Sequence, residues 1–283
     1  LIMGEGSQAG LNGVMAHEVT HSWYQMVLAS NESLYAWMDE GFTDFASEEA
    51  MNTIFNEPID HARSYSSYFS LVESGLQEPA SQHSDHFNTN RAYGTAAYSM
   101  GSVFLHQLKY IMGTDNFYRG IKLYYNTWKM RHPEPNDFLR VMEKTSNLQL
   151  HWYYRYWIQT TKRIDYGINL VAEKEGSTMI ELQRVGEFPM PVDLLVKYKD
   201  GSEELIYIPL NEMMGGKPKE NSTKRTDLTP WPWVNPTYTF SLPTKVGKIE
   251  SIEIDPSLRM ADISRKNNKV ILSEINAYKD PTK

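Results

Sequence analysis

His17-Glu18-Val19-Thr20-His21 and, after eighteen intervening residues, Glu40 in Trp37-Met38-Asp39-Glu40-Gly41-Phe42 decide the reading of this chain. On a helix, side chains four residues apart leave the same face, so the imidazoles of His17 and His21 can occupy two corners of one tetrahedral zinc ion. Glu18 projects beside the first of them. It cannot be a third ligand from the same turn, but its carboxylate can take the proton of a zinc-bound water, whose pKa the metal lowers to about 7. By composition alone, His-Glu-x-x-His arises in a chain of this length about one time in a hundred. Two satisfied histidines and a solvated glutamate on an amphipathic helix would give the same letters. Glu40 separates the two readings: a loop over 30–36 returns the chain to the metal, and a second helix presents Glu40 near its start. Two imidazoles and one carboxylate then make a catalytic set whose fourth position is open. Asp44, four residues on and on the same face, is placed to accept the outward N–H of a ligand histidine. The competing reading makes it a solvated helical charge like Glu48 and Glu49.

Outward from this pair of motifs, residues 11 to about 160 read as a succession of helices. Leu11, Val14, Met15, Val19 and Met26 recur at helical spacing in a proline-free stretch that Asn31 can stop. Further helices are expected over 37–55, 92–112, 115–130, 136–146 and 149–159, with Thr114-Asp115 and Asn136-Asp137 as caps. The Ser-, Asn- and His-rich stretch 56–91 should mix short helix with loop. After Thr161 the texture alternates, predicting strands over 164–172, 179–185, 192–198, 204–209, 237–242 and 248–255. Lys199-Asp200-Gly201-Ser202 is a hairpin signal. Residues 211–235, with Gly215-Gly216 and Trp231-Pro232-Trp233, read as an irregular insertion. Helices first and strands second predict an α+β chain: a helical catalytic domain over 1–163, a β-sandwich domain over 164–275 and a tail over 276–283.

The 283 residues are 41% hydrophobic, enough for a sizeable core, and carry a net charge of -7. Lysines and arginines are scattered, which excludes a basic nucleic-acid groove. With no cysteine, disulfides, thiolate ligands and cysteine nucleophiles are excluded, and any metal must be held by His and carboxylate. No apolar run approaches the roughly 20 residues of a membrane span.

The His-Glu-x-x-His and Glu40 spacing, in its Trp-Met-Asp-Glu-Gly-Phe setting, resembles the M1 family of zinc aminopeptidases, the gluzincins that include aminopeptidase N and leukotriene A4 hydrolase. The resemblance implies one Zn2+ held by His17, His21 and Glu40, with Glu18 as general base. It also implies a helical, thermolysin-like peptidase subdomain followed by a β-sandwich, and peptide or protein substrates. In that family a tyrosine three residues before a glycine donates to the tetrahedral intermediate, and Tyr98-Ser99-Met100-Gly101 matches it, with Met100 where the family usually has Lys. A phenol aimed at a developing oxyanion stabilises charge present mainly in the transition state. Tyr93 is the rival and lacks the spacing to a glycine. With 18 tyrosines in the chain, a core aromatic is the plain alternative for either. Phe117 to Tyr124, Asp137-Phe138 and Trp157 extend the likeness through the helical part, and Met190-Pro191-Val192-Asp193 and Ile254-Asp255-Pro256 through the strands.

The family's Gly-x-Met-Glu-Asn segment, whose Glu binds the substrate's amino terminus, should lie well before the zinc motif. His17 is too near Leu1 for that, and Gly4-Glu5-Gly6 is no substitute, so the expectation is a family member without its N-terminal β-domain. The resemblance is to exported bacterial members, periplasmic or in the cell envelope. A catalytically weak or inactive fragment, a scaffold that binds peptides without cleaving them, and a zinc hydrolase of non-peptide substrates are the alternatives to an active peptidase. His83 and His86 have spacing for a second metal but lack a third ligand. The cluster His151-Trp152-Tyr153-Tyr154 to Tyr156-Trp157 fits core packing or a peptide cleft. Lys217, Lys219, Lys224 and Arg225 read as a solvated loop.

Overall fold

With no proline before Pro58, the chain can stay helical from its first described turn. α1 (Gln8–His21) passes directly into a π-helical segment, Ser22–Val27. The computed structural model describes residues 8–55 and 62–272, and the chain divides into two units, Leu1–Thr161 and Lys162–Lys283. The tail over 276–283 and Gly4-Glu5-Gly6 fall outside the described residues.

In the first unit Asn31 ends the opening helix as its side chain suggests, with Oδ1 accepting the N–H groups of Ser33 and Leu34, both at 3.1 Å. The turn sends α2 (Ala36–Phe55) back along α1. α3 (Ala62–Ser74) is a full helix in the stretch expected to hold only short ones, because Tyr65, Tyr68, Leu71 and Val72 give it one buried face. α4 (Asn90–Gly94) starts at Thr89, whose hydroxyl accepts the Ala92 N–H at 3.1 Å, and continues through a second π-helical segment, Thr95–Met100, into α5 (Gly101–Met112). α6 (Thr114–Trp128), α7 (Pro135–Ser146) and α8 (His151–Gln159) complete the unit. The N-caps of α6 and α7 are Gly113 and Glu134 rather than Thr114 and Asn136. Glu134 and Asp137 form a reciprocal capping box around Pro135, which has no N–H to leave unsatisfied.

The core of this unit forms where α2 meets α5. Trp37 and Phe104 stand edge to face at 5.2 Å and Phe42 meets Phe138 at 5.0 Å, all at most 1% exposed. α8 closes the core: Trp157 donates to the Met100 carbonyl at 2.9 Å, and Tyr153 stacks on Phe104 at 4.9 Å. Tyr153 and Trp157 are therefore core, not cleft wall. α1 behaves differently. Leu11, Val14, Met15, Val19 and Met26, whose periodicity marked the helix, are 45–68% exposed, while the face turned to α2 carries His17 and His21.

The second unit contains β1 (Tyr166–Lys174), β2 (Ser177–Arg184), β3 (Val192–Tyr198), β4 (Glu203–Ile208), β5 (Lys224–Asp227), β6 (Thr237–Leu242), β7 (Ile249–Ile254) and β8 (Lys269–Ile271). They form a three-stranded sheet, β1-β2-β6, and a five-stranded sheet, β5-β4-β3-β7-β8. The β3–β4 hairpin closes over Gly201 at φ 84°, with Val192 opposite Ile208. Ile180 and Leu182 of the first sheet and Leu194, Val196, Ile206 and Ile252 of the second are fully buried. The expected insertion over 211–235 is in part regular: β5 pairs in parallel with β4, and Trp231 bridges to Leu210. Lys217 is buried there, its Nζ donating to Asp193 Oδ2 at 2.6 Å and lying 5.6 Å from the centre of the Tyr207 ring. Among the described residues no helix is long and apolar enough to cross a membrane.

Candidate metal centre

α1 places His17 and His21 one turn apart, and α2 brings Glu40 up to them. Three atoms converge: His17 Nε2 and His21 Nε2 are 3.1 Å apart, and Glu40 Oε2 lies 3.1 Å from the first and 3.2 Å from the second. Among the described residues this is a group of three that can hold a metal ion. Ligand atoms 2.0–2.2 Å from a tetrahedral zinc stand about 3.3–3.5 Å from one another, so the triangle needs to relax by only a few tenths of an ångström. The outer nitrogens support the same fit. His17 Nδ1 faces Asp44 Oδ1 at 3.0 Å, and His21 Nδ1 faces Asp39 Oδ1 at 2.9 Å and Thr43 Oγ1 at 3.2 Å. Carboxylates at both Nδ1 atoms favour protons there, which leaves the lone pairs of both Nε2 atoms directed at the carboxylate oxygen. With both Nε2 atoms unprotonated the three atoms are all acceptors, a set suited to a cation; in the metal-free centre a proton on His17 takes that place and is shared with Glu40.

Local charge follows from this crowding. Burial works to lower the His17 pKa, but Asp44 and Glu40 outweigh it and raise it from 6.5 to about 9. Asp39 is raised to about 6, first by burial and then by the neighbouring Glu40 charge. Burial opposes ionisation of Glu40 too, yet the hydrogen bonds from His17 and Tyr98 leave its pKa below normal. Tyr98 donates to Glu40 Oε1 at 2.6 Å and stacks against His17, ring centres 5.7 Å apart. Burial, followed by that bond to a carboxylate, pushes its pKa above the ordinary tyrosine range, so the phenol keeps its proton. Tyr93 packs edge-on against Phe87 instead.

Two glycines explain how Tyr98 reaches the centre. A Cβ placed on Gly41 would lie 2.4 Å from the Gly101 Cα, and one on Gly101 would lie 2.6 Å from the Gly41 Cα and 2.9 Å from the Trp37 carbonyl oxygen. The backbones therefore touch where α2 meets the start of α5, an approach only glycine permits. Glu40 precedes one of these glycines and Tyr98 lies three residues before the other, on the π-helical segment Thr95–Met100. Such widened turns recur at functional sites because they re-aim side chains.

Glu18 is exposed on the wall of a cavity of about 670 Å³ that His17, Asp44, Glu48, Arg63 and Tyr98 also line. His83 and His86 stand with ring centres 5.1 Å apart, and His83 Nδ1 accepts the Asp85 N–H at 3.1 Å. Among the described residues no third metal-capable side chain joins them. Asp39 and Thr43 were not singled out from the sequence. Their signal was available, since they repeat the four-residue spacing of Glu40 and Asp44 one position earlier.

A profile of the peptidase family M1 domain matches residues 4–157. The chain belongs to peptidase family M1. Among curated relatives, probable aminopeptidase 2 of Sulfurisphaera tokodaii is 25% identical over 150 residues, covering 51% of this chain and 19% of that protein. Glutamyl aminopeptidase of Rattus norvegicus is 24% identical over 191 residues, covering 63% of this M1 chain and 19% of the relative. The chain thus spans about a fifth of the length of the relatives it matches. Its fold is similar to that of aminopeptidase A from Legionella pneumophila, solved in complex with aspartic acid, with a TM-score of 0.56 at 12% identity over 88% of this chain and 26% of that one. The α+β architecture of a helical unit followed by two sheets is that of the family.

Proposed function

We propose that this M1 chain carries the metal centre of a zinc-dependent peptidase, an aminopeptidase in its family's manner, that cleaves peptide bonds by adding water. The observation that carries the reading is the triangle of His17 Nε2, His21 Nε2 and Glu40 Oε2, with edges of 3.1–3.2 Å. These three residues would hold one Zn2+, with Asp44 and Asp39 fixing the two imidazoles through their outer nitrogens. Zinc in such a site supplies a Lewis acid that lowers the pKa of a water to about 7 and polarises a carbonyl.

The chain's own groups do the rest. Glu18, exposed on the cavity wall beside His17, takes the proton of the attacking water and returns it to the leaving amine. Tyr98, protonated across the neutral range, turns its O–H from Glu40 Oε1 toward the oxygen that gains charge at the scissile carbonyl. Buried aromatic packing of α2 against α5 keeps Glu40 and Tyr98 in register.

The test is metal content together with hydrolysis of amino-terminally free and blocked peptides, in wild type and Glu18→Gln. The expected result is about one zinc per chain in both proteins, peptide turnover in wild type, with the ratio of free to blocked peptides reading the amino-terminal selectivity, and a loss of about 10²–10⁴ in kcat for Glu18→Gln. Turnover surviving in Glu18→Gln, or a protein without affinity for zinc, would refute the proposal.

A further inference from the structure

The cavity that starts at His17, Glu18 and Tyr98 does not end there. It runs along the inner face of α2, past Asp44, Glu48 and Asn52, and is closed on its other side by Arg63 and Ser64 of α3. The eight helical steps from Asp44 to Asn52 span about 12 Å at 1.5 Å per step, and an extended peptide covers that distance in about three or four residues.

The charged side chains on this wall are unequally committed. Asp44 faces His17, and Glu48 accepts hydrogen bonds from Ser64 at 2.6 Å and Ser102 at 2.9 Å. Glu18 and Arg63 have no hydrogen-bond or ion-pair partner among the described residues. Glu18 has a role as the base; Arg63 has none. A guanidinium offers a planar fork of N–H donors that matches a carboxylate at two points. The Ser64–Glu48 bond holds the start of α3 against α2 one helical turn beyond Asp44, about 6 Å along the helix, which an extended peptide covers in about two residues.

We infer that Arg63 receives a carboxylate of the substrate a few residues from the bond that is cut, so that the site favours short peptides ending in a free carboxylate. The inference rests on the peptidase reading and names the substrate class of that site. Among the described residues it gives a use to the arginine on the cavity wall that the proposed chemistry leaves idle.

The test uses the zinc-loaded chain and one tetrapeptide made as the C-terminal acid and as the amide, the amide also with Asp or Asn as its last residue. The acid should be cut with a kcat/KM about tenfold above the amide, mostly through KM. In Arg63→Gln the ratio of acid to amide should fall to about one. Binding of the same peptides to the Glu18→Gln protein, followed by calorimetry, reads the carboxylate without turnover. Turnover with equal constants for acid and amide, or a ratio unchanged in Arg63→Gln, overturns the inference and leaves the peptidase reading standing. An Arg63-dependent preference in binding without any turnover does the opposite. A preference that follows Asp over Asn in the amides assigns the carboxylate to a side chain rather than to the chain end.

Discussion

Gly101→Ala tests how the structure delivers Tyr98. The added methyl would sit 2.6 Å from the Gly41 Cα and 2.9 Å from the Trp37 carbonyl oxygen, whereas carbon atoms rest at about 3.5–4.0 Å. Neither obstacle is a flexible tip: both belong to the backbone of α2, and Trp37 is wedged against Phe104 and Tyr154, fully buried. The two helices must part by about 1 Å, an overpacking cost of about 1–3 kcal/mol. Glu40 and Tyr98 ride on the separating elements, so their bond, now 2.6 Å, lengthens to about 3.6 Å, beyond hydrogen-bonding range. A misplacement of about 1 Å at a catalytic group costs about 10² in rate, comparable with deleting an oxyanion donor outright. The assay is steady-state hydrolysis of an aminoacyl substrate, with zinc content and thermal unfolding measured on the same preparations. Gly101→Ala should retain zinc, because its ligands lie on α1 and α2, and should lose kcat to within about tenfold of Tyr98→Phe. The double substitution should be no slower than Tyr98→Phe alone, since both act through one phenol. Gly94→Ala, where a methyl meets nothing within 4 Å, controls for the loss of a helical glycine. Wild-type kcat in Gly101→Ala, or fully additive losses in the double variant, would refute the reasoning.

Asp39→Asn removes the carboxylate 2.9 Å from His21 Nδ1 and should weaken zinc binding about 10–100-fold in chelator competition; unchanged affinity would leave Thr43 as the sole orienting group. The His17 pKa, raised from 6.5 to about 9, has two consequences of definite sign. Without metal His17 is protonated at pH 7, so zinc must displace that proton and its affinity should climb about tenfold per pH unit up to about pH 9. The metal-free fold gains stability from the protonated imidazole below pH 6.5 and loses it as pH rises through 9, visible as a falling unfolding temperature. In the second unit Lys217→Ala leaves Asp193, 4% exposed, without the cation 2.6 Å away. It should cost about 3–5 kcal/mol in denaturant unfolding, largely recovered when Asp193→Leu is added.

Much of the fold was legible because its elements are local. Proline positions and apolar periodicity bracketed α2 and α5 to α8, and the Asp200-Gly201 turn fixed the β3–β4 hairpin. What escaped depends on contacts distant in sequence. β5 is four residues long, Lys224–Asp227, with no alternation of its own, and exists because β4 offers it a free edge. Lys217 looked like a solvated lysine, since nothing near it in sequence announces Asp193. α3 reads from sequence as only short helix mixed with loop because its serines dominate the count, while Tyr65, Tyr68 and Leu71 determine its buried face. On α1 the apolar residues were read correctly as helical, but periodicity cannot say which face meets a neighbour, and the histidines occupy the face that does.

The candidate site divides along the same line. His17, Glu18 and His21 are a local motif, and Glu40 follows from a turn of ordinary length, so side-chain chemistry alone brings them together. The pairing of Gly41 with Gly101 is different, since each glycine is unremarkable until the other is opposite it. That crossing ties the two ends of Glu40 together: Oε2 lies with the imidazoles and Oε1 accepts from Tyr98. A phenol has one proton to give. While Tyr98 spends it on Glu40 it cannot spend it on a substrate, so the proposed mechanism requires this bond to exchange for one to the developing oxyanion. The exchange is favourable only where that oxygen carries more charge than a carboxylate already shared with two imidazoles. A neutral ground-state carbonyl does not meet that condition and the tetrahedral state does, so in the proposed mechanism the contact that holds Tyr98 in place also reserves its proton for the transition state.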